Sequence, residues 1–556
     1  MELNKKNIIE NKEQWTNKGY HLPQYDVDEM IAKTMENPKW IHFGAGNIFR
    51  AFQANLSQRM LEEKIDDTGI VVVEGFDYEI IEKMYRPHDN LSLLVTLKSD
   101  GKIEKNVIGS IAESCILDTT AADGEENKEF TRLKEIFSKD SLQLATFTIT
   151  EKGYSLVDGK GQMLSAVKQD MENGPKAPVS YIGKVAALLY ARFKAGEKNI
   201  AMVSTDNCSH NGDKLYDAMH AFAKEWTDKG LAEEGFLKYV ENPELVSFPW
   251  SMIDKITPRP DASVEEILKG DGIEALEPVV TKMNTWVAPF VNAEESEYLV
   301  IEDKFPNGRP DLEKVGVIFT DKEHVDKVER MKVCTCLNPL HTTLAVYGCL
   351  LGFTKISEEM KDEDLTRLVN EIGYVEGLPV VTDPEVMNPK EFIDTVVKVR
   401  IPNPFMPDTP QRIACDTSQK LPIRFGETIK AYRDGKFAPG VSEEVTKKTV
   451  NDLKFIPLVY AGWVRYLMGI DDNGNEFELS PDPLLDEVRV YVKDLKLGEQ
   501  DEEAVKDKVL PLLKNKTIFG VDLVEEKMSD LVVSYLVKEL QGPGAVRNTI
   551  RAALEA

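Results

Sequence analysis

The sequence has 556 residues, of which 42% are hydrophobic and 29% charged, and it carries a formal charge of −27. A chain of this length is too long for one hydrophobic core, so two domains are predicted. The composition is that of a folded globular protein. The acidic balance, without a dense Lys/Arg run, excludes a nucleic-acid-binding protein. The sequence contains no run of about 18 uncharged apolar residues, so neither a membrane span nor an export signal is predicted. The six cysteines favour a reducing cytoplasm over disulfides.

The first half of the chain alternates between apolar runs and helical patterns. Runs that predict buried strands stand at residues 40–43, 69–76, 142–150 and 199–206. A glycine turn and a helical pattern at 48–64 separate the first two runs, and an amphipathic helix at 179–196 precedes the last. This alternation predicts an α/β fold with a parallel sheet.

The second half of the chain reads as mainly helical. Long helical segments are predicted at residues 321–337, 362–377 and 441–468 and in the C-terminal tail. A stretch rich in Pro and Gly at 302–317 marks the passage from the first predicted domain to the second. We therefore expect one domain at 1–315 and a mainly α-helical domain at 316–556.

A short glycine motif indicates a nucleotide site. Gly44, Ala45 and Gly46 follow a predicted strand and open a helix, so that backbone amides and the helix dipole can face a pyrophosphate. The usual third glycine is missing, and a bare glycine turn is the alternative. Glu74 ends the next strand, where an acid binds the ribose hydroxyls of NAD and repels the extra phosphate of NADP. Asp77 is the second candidate for that role, and a solvated acid is the alternative. The predicted residues for NAD are Gly44, Gly46, Asn47, Phe49, Arg50 and Glu74.

Six stretches along the chain together resemble one enzyme family. They are GAGNIFRAFQ (44–53), TITEKGY (148–154), STDNCSHNG (204–212), SMIDKITPRPD (251–261), KVCTCLNPLH (332–341) and RIPNPFMPDT (400–409). In this order they are similar to the mannitol dehydrogenase family, which includes mannitol 2-dehydrogenase and the fructuronate and tagaturonate reductases. The resemblance implies a Rossmann-type N-terminal domain, a mainly helical C-terminal domain, a cleft between them and metal-independent hydride transfer with nicotinamide.

The resemblance also implies residue roles. It points to Lys332, Asn338, His341 and Asn207 as catalytic residues. The two asparagines would stabilise charge on the substrate oxygen, the lysine would give or take the proton, and the histidine would orient substrate oxygens. Asp254 and Arg400 are implied as substrate contacts. A guanidinium suits a carboxylate through paired hydrogen bonds, but it can equally bind hydroxyls or brace the domain interface.

The spacing of the helical motif departs from the family pattern, which places the lysine five residues before the asparagine and eight before the histidine. Here the spacings are six and nine. At about 100° per residue, nine steps put Lys332 and His341 on opposite faces of a regular helix, whereas eight would separate them by about 80°. Pro339 predicts a kink. We therefore expect a one-residue π-bulge near residues 334–337 that returns Lys332 to the His341 face.

The resemblance thus implies an NADH-dependent reductase that converts a 2-keto hexuronate, fructuronate, to mannonate. Tagaturonate reduction and a mannitol 2-dehydrogenase acting on mannitol and fructose are the alternatives within the family. A catalytically silent nucleotide-binding protein is the alternative of another class. Cys334 and Cys336 are expected to be buried thiols and His210 a turn residue, so no metal is expected. A monomer and a homodimer both stay open.

Overall fold

The computed structural model describes residues 1–498 and 501–556, which form two compact units, Met1–Asp326 and Lys327–Ala556. Its strands are β1 (Tyr20–His21), β2 (Trp40–Phe43), β3 (Ile70–Glu74), β4 (Ser92–Leu97), β5 (Ile103–Ile108), β6 (Ile111–Ile116), β7 (Leu144–Phe147), β8 (Ile200–Ser204), β9 (Val246–Ser247), β10 (Ser251–Asp254), β11 (Val279–Val280), β12 (Trp286–Val287), β13 (Phe290–Glu294), β14 (Tyr298–Glu302) and β15 (Ile318–Thr320). The sequence predicted the domain boundary at 315/316, whereas β15 lies beyond that point and pairs with β14 in the first unit.

The main sheet of the first unit has six parallel strands in the order β6-β3-β2-β7-β8-β9. Every residue of β2, β3, β7 and β8 is buried, which explains why the sequence shows continuous apolar runs rather than alternation. Ile41 and Phe43 pack into one apolar cluster, and Trp40 packs into another. The strand order reverses between β2 and β7, which is the topological switch point of a doubly wound fold.

Three smaller sheets complete the first unit, and they are ordered β1-β5-β4-β13, β10-β14-β15 and β11-β12. Helices surround the sheets. They are α1 (Lys5–Glu10), α2 (Lys12–Asn17), α3 (Val27–Glu36), α4 (Asn47–Ala51), α5 (Gln53–Glu62), α6 (Lys128–Phe137), α7 (Ser165–Asn173), α8 (Tyr181–Lys194), α9 (Asn211–Asp228), α10 (Gly235–Glu241), α11 (Ala262–Gly270) and α12 (Lys322–Met331), which crosses the unit boundary.

The second unit is helical, as the sequence predicted. Its helices are α13 (Asn338–Leu351), α14 (Ile356–Glu359), α15 (Glu363–Asn370), α16 (Pro389–Thr395), α17 (Pro410–Ile413), α18 (Thr417–Leu421), α19 (Glu427–Arg433), α20 (Phe455–Tyr466), α21 (Leu485–Arg489), α22 (Glu502–Leu513), α23 (Lys516–Phe519), α24 (Ser529–Glu539) and α25 (Ala545–Glu555). Helix α20 is buried at every residue and forms the centre of the unit. The Tyr347 hydroxyl on α13 ties this centre together, because it lies within hydrogen-bond distance of both the Leu458 carbonyl on α20 and the Glu539 carboxyl group on α24.

The helix predicted at 441–468 is wrong in its first part. The α-helix begins only at Phe455, and two short 3-10 turns, Val445–Lys447 and Val450–Asp452, precede it. The carboxylate of Glu376 accepts the backbone N–H groups of residues 454, 455 and 456 and so caps the helix from a distant segment. Burial raises the pKa of Glu376 to about 7.

Among the described residues, five helical turns are π turns, at Ile81–Tyr85, Lys332–Cys336, Glu371–Gly377, Val396–Arg400 and Pro422–Gly426. Such turns are rare and frequently mark functional positions. In the described part of the chain, no helix is both long and apolar enough to cross a lipid bilayer.

Candidate active site

A glycine turn follows β2 at the switch point of the sheet. Gly44 has a φ of +108°, and a Cβ there would overlap the carbonyl oxygen of Thr148 after β7, so only glycine fits. Gly46 caps the N-terminus of α4, and a Cβ on it would meet nothing within 4 Å. Open space in front of the first helical amides suits the pyrophosphate of a dinucleotide.

The residues after the turn lie in the interior. Phe49 stacks on His42 with ring centroids 4.5 Å apart. Arg50 is 1% exposed and donates to the Ala288 carbonyl at 2.7 Å and to the Asn47 amide oxygen at 2.9 Å. Burial lowers the pKa of this guanidinium. These side chains brace the turn from behind, and their contact with a coenzyme stays a prediction.

Glu74 at the end of β3 is turned toward the glycine turn. Its carboxylate accepts the N–H of Ala45 at 2.9 Å, of Phe76 at 2.8 Å and of Asp77 at 3.2 Å. Burial raises its pKa, and the three backbone hydrogen bonds oppose that rise. Glu74 therefore joins the glycine turn to the end of β3, and its predicted role at the ribose stays a prediction. Asp77 accepts the Thr281 hydroxyl at 2.5 Å.

Asp206, which sequence reasoning did not single out, organises the end of β8. Its carboxylate accepts the N–H of Ile149 at 3.0 Å, the N–H of Thr150 at 2.9 Å and the Tyr154 hydroxyl at 2.5 Å. Thr150 is held at φ +64° and ψ +158°, a conformation that non-glycine residues rarely adopt. Asp206 thus joins the 148–154 and 204–212 motifs, and Asn207, which follows it, is exposed.

A buried amide links the same region to β10. The Asn211 side chain donates to the Ser204 carbonyl at 3.1 Å and to the Ser251 carbonyl at 3.0 Å. Asp254, the last residue of β10, is 7% exposed. The first unit therefore brings three of the sequence motifs together, and with them the segments that carry Asn207 and Asp254.

The predicted π-bulge is confirmed in the second unit. Residues Lys332–Cys336 form a π turn, in which the Leu337 N–H donates to the Lys332 carbonyl at 3.1 Å. Leu337 then leaves the helical conformation with φ −130°, and α13 begins at Asn338 with a proline in its first turn. The turn begins two residues earlier than predicted. Lys332 is 4% exposed, so it does not point into solvent.

Asn338 and His341 lie one turn apart at the start of α13, and both are half-buried. Residues at this spacing share a helix face. The Thr342 hydroxyl donates to the Asn338 carbonyl at 3.1 Å and accepts from Arg424 at 2.6 Å. Arg400, the other predicted cation, ends a second π turn and is 5% exposed.

The cysteines and His210 behave as the sequence predicted. Cys334 and Cys336 are 8% and 0% exposed, and all six cysteines are free thiols. Burial raises the pKa of the Cys336 thiol. His210 has a φ of +53° at the start of α9 and stacks on Trp250. Over residues 1–498 and 501–556, no group of three His, Cys, Asp or Glu side chains is arranged to hold a metal ion.

Two family models cover most of the chain. The mannitol dehydrogenase Rossmann domain matches residues 38–314, and the mannitol dehydrogenase C-terminal domain matches residues 324–541. The chain belongs to the mannitol dehydrogenase family. The resemblance seen in the motifs and the predicted fold class are thereby confirmed.

Known oxidoreductases also match over most of the chain. A D-mannonate oxidoreductase of Thermotoga maritima is 51% identical over 99% of this chain and 98% of its own. A polyol:NADP oxidoreductase of Gluconobacter oxydans is 29% identical over 87% of this chain and 89% of its own. The solved mannitol 2-dehydrogenase of Pseudomonas fluorescens, in complex with NAD and D-mannitol, is 26% identical with a TM-score of 0.65 and covers 100% of this chain and 99% of its own.

Proposed function

We propose that this member of the mannitol dehydrogenase family is an NAD-dependent oxidoreductase that interconverts D-fructuronate and D-mannonate. The observation that carries the proposal is the identity of 51%, over 99% of the chain, with a D-mannonate oxidoreductase. The substrate class is a sugar acid or polyol, and within that class we propose the keto acid D-fructuronate.

The first unit fits a nicotinamide dinucleotide. The strand order, the strained Gly44 and the open space at Gly46 suit a pyrophosphate at the switch point. Gly44, Gly46 and Asn47 would hold this group, Phe49 and Arg50 would support the turn, and Glu74 would lie nearest the ribose. When bound, the reduced coenzyme supplies the hydride that adds to the keto carbon.

The chain's own residues manage the charge and the proton. In the reduction, the amide N–H groups of Asn207 and Asn338 would stabilise the negative charge that develops on the substrate oxygen. Lys332 would give its Nζ proton to that oxygen, and would remove it in the oxidation. His341 would orient the substrate oxygens, with Asp254 and Arg400 as further contacts. The π turn supports the proposed role of Lys332, because it offsets the extra residue in the motif.

The proposal also covers the cellular compartment and the oligomeric state. The cytoplasm is the proposed compartment, since six free thiols suit reducing conditions. The active species is a monomer or a homodimer, and both would be compatible with one site per chain.

The test follows NADH absorbance with the purified protein and offers fructuronate, tagaturonate and fructose in parallel, with NADPH as the control coenzyme. We expect rapid NADH oxidation with fructuronate. Lys332→Met is expected to lower kcat by about 10²–10⁴ while NADH still binds. Turnover of fructose or tagaturonate alone would keep the family chemistry and reject the proposed substrate. Binding of NADH without any turnover would favour a catalytically silent protein.

A further inference from the structure

A site that prefers fructuronate over fructose has to recognise a carboxylate, because the acid group is the main charge difference between them. A buried cation already neutralised by a protein carboxylate contributes little to this recognition. Such a site therefore requires a guanidinium or ammonium group whose charge no acidic side chain compensates. This step rests on the proposed function.

Arg424, in the π turn Pro422–Gly426, meets that condition. Its Nη1 donates to the Thr342 hydroxyl at 2.6 Å, and this is its one hydrogen bond within the described residues. No carboxylate of those residues lies within ion-pair distance of it. The residue is half-buried, and loss of hydration lowers its pKa to about 10, so the side chain remains a cation at neutral pH. Most of its five N–H donors are left for a ligand.

Other arginines of the protein are held differently. Arg465 donates to the carbonyls of Ile470, Asp471 and Glu539 from all three of its nitrogens. Arg547 pairs with Asp362 and Asp364. Arg465 thus has every nitrogen in a hydrogen bond, and two carboxylates compensate the charge of Arg547, which is typical of structural roles. Arg424 stands apart because, among the described residues, it has one hydrogen bond and no carboxylate partner.

A second cation lies beside it. Lys420, about one helical turn earlier, forms no ion pair in the described structure and donates to the carbonyls of Ile413 and Cys415. After burial, the charge of Arg424 is the strongest influence that lowers its pKa. Two cations that repel each other without a carboxylate in contact form an electrostatic environment that an anion would relieve.

The position of Arg424 connects it to the proposed catalytic helix. Thr342, its partner, directly follows His341 and donates to the carbonyl of Asn338. The π turn that carries Arg424 also packs against the π turn Lys332–Cys336. Arg424 is therefore one hydrogen bond away from the turn that carries Asn338 and His341.

We propose that Arg424 binds the carboxylate of the sugar-acid substrate through its remaining guanidinium donors and so selects acids over neutral ketoses and polyols. Paired N–H···O bonds to a carboxylate are strong and directional, which would orient the substrate as well as retain it. Arg400 then contacts hydroxyl oxygens.

Three variants separate recognition from bracing. Arg424→Met removes the charge, Arg424→Lys keeps a charge without the planar fork, and Thr342→Val removes the hydroxyl that Arg424 contacts but leaves the guanidinium. The assay measures kcat/KM for fructuronate and for fructose, and the Kd of D-mannonate and of D-mannitol by calorimetry in the presence of NAD.

We expect Arg424→Met to lower kcat/KM for fructuronate by about 10²–10³, mainly through KM, and to weaken D-mannonate binding at least tenfold more than D-mannitol binding. Arg424→Lys should recover part of the loss, and Thr342→Val should affect acid and neutral ligands alike. Equal losses for acid and neutral ligands in Arg424→Met would overturn the inference and leave Arg424 as a brace. The calorimetric comparison decides the point even if wild-type protein fails to reduce fructuronate, which would reject the proposed function separately. The inference about Arg424 would also be overturned if the wild-type protein binds D-mannitol as tightly as D-mannonate.

Discussion

Deleting Val333 tests whether the π turn is what keeps Lys332 on the side of His341. The two residues are nine positions apart, so a regular α-helix would place them about 180° apart. The π turn Lys332–Cys336 accommodates one extra residue, which reduces the separation to about 80°. Removing the half-buried Val333 shortens the turn to ordinary α geometry. Lys332 should then keep its face.

We expect the deletion variant to retain kcat with fructuronate within about tenfold of the parent, since the proton donor stays in place. An alanine inserted after Val333 should rotate Lys332 by about 100° and lose about 10²–10⁴ in kcat, as Lys332→Met does. Steady-state NADH oxidation measures both variants, and circular dichroism with a thermal melt controls for folding. A folded deletion variant as inactive as Lys332→Met would refute the reasoning.

Three further predictions concern stability and the coenzyme site. Burial raises the pKa of Glu359 to about 9, and neither of its carboxyl oxygens has a hydrogen-bond partner. Because the unfolded chain releases this proton near pH 4.5 and the folded chain near pH 9, wild-type stability should fall by about 1.4 kcal/mol per pH unit between them. The gain in Tm of Glu359→Gln should therefore be larger at pH 8 than at pH 6, and an equal gain at both would contradict this. Asp206→Asn should lower the unfolding free energy in urea by about 1–3 kcal/mol and also reduce kcat, because an amide nitrogen cannot accept the donors that the carboxylate holds; unchanged kcat would separate Asp206 from the site. Gly44→Ala should cost about 2–5 kcal/mol through its positive φ and its overlap with Thr148, whereas Gly46→Ala should weaken NADH binding with a stability change below about 1 kcal/mol; a fluorescence titration and a melt compare the two.

The parallel sheet could be predicted because each of its strands has a local signal in the sequence. Apolar runs at 40–43 and 69–76 became β2 and β3 almost residue for residue, since strands buried on both faces show nearly continuous apolar runs. The π turn could be predicted for a different reason. A motif with one residue too many and a proline beyond it leaves few geometries that keep its side chains together.

Long-range partners could not be predicted. The pairing of β4 with β13 joins segments almost two hundred residues apart, and nothing in either run specifies the other. The cap that Glu376 places on α20 likewise comes from a distant turn, so the sequence around 441–454 read as helix. Sequence reasoning did not identify Arg424, because only the folded unit reveals that no carboxylate of the described residues pairs with it.

The tie between Glu74 and the glycine turn limits how the coenzyme preference could be redesigned. Exchanging the acid at the end of this strand for a small residue is the simplest plan for accepting a phosphorylated ribose. Here that exchange would leave the N–H groups of Ala45, Phe76 and Asp77 without their acceptor, at about 1–3 kcal/mol for each that stays buried. Protein engineers would do better to retain Glu74 and introduce positive charge on the surface around Phe76, which is 64% exposed.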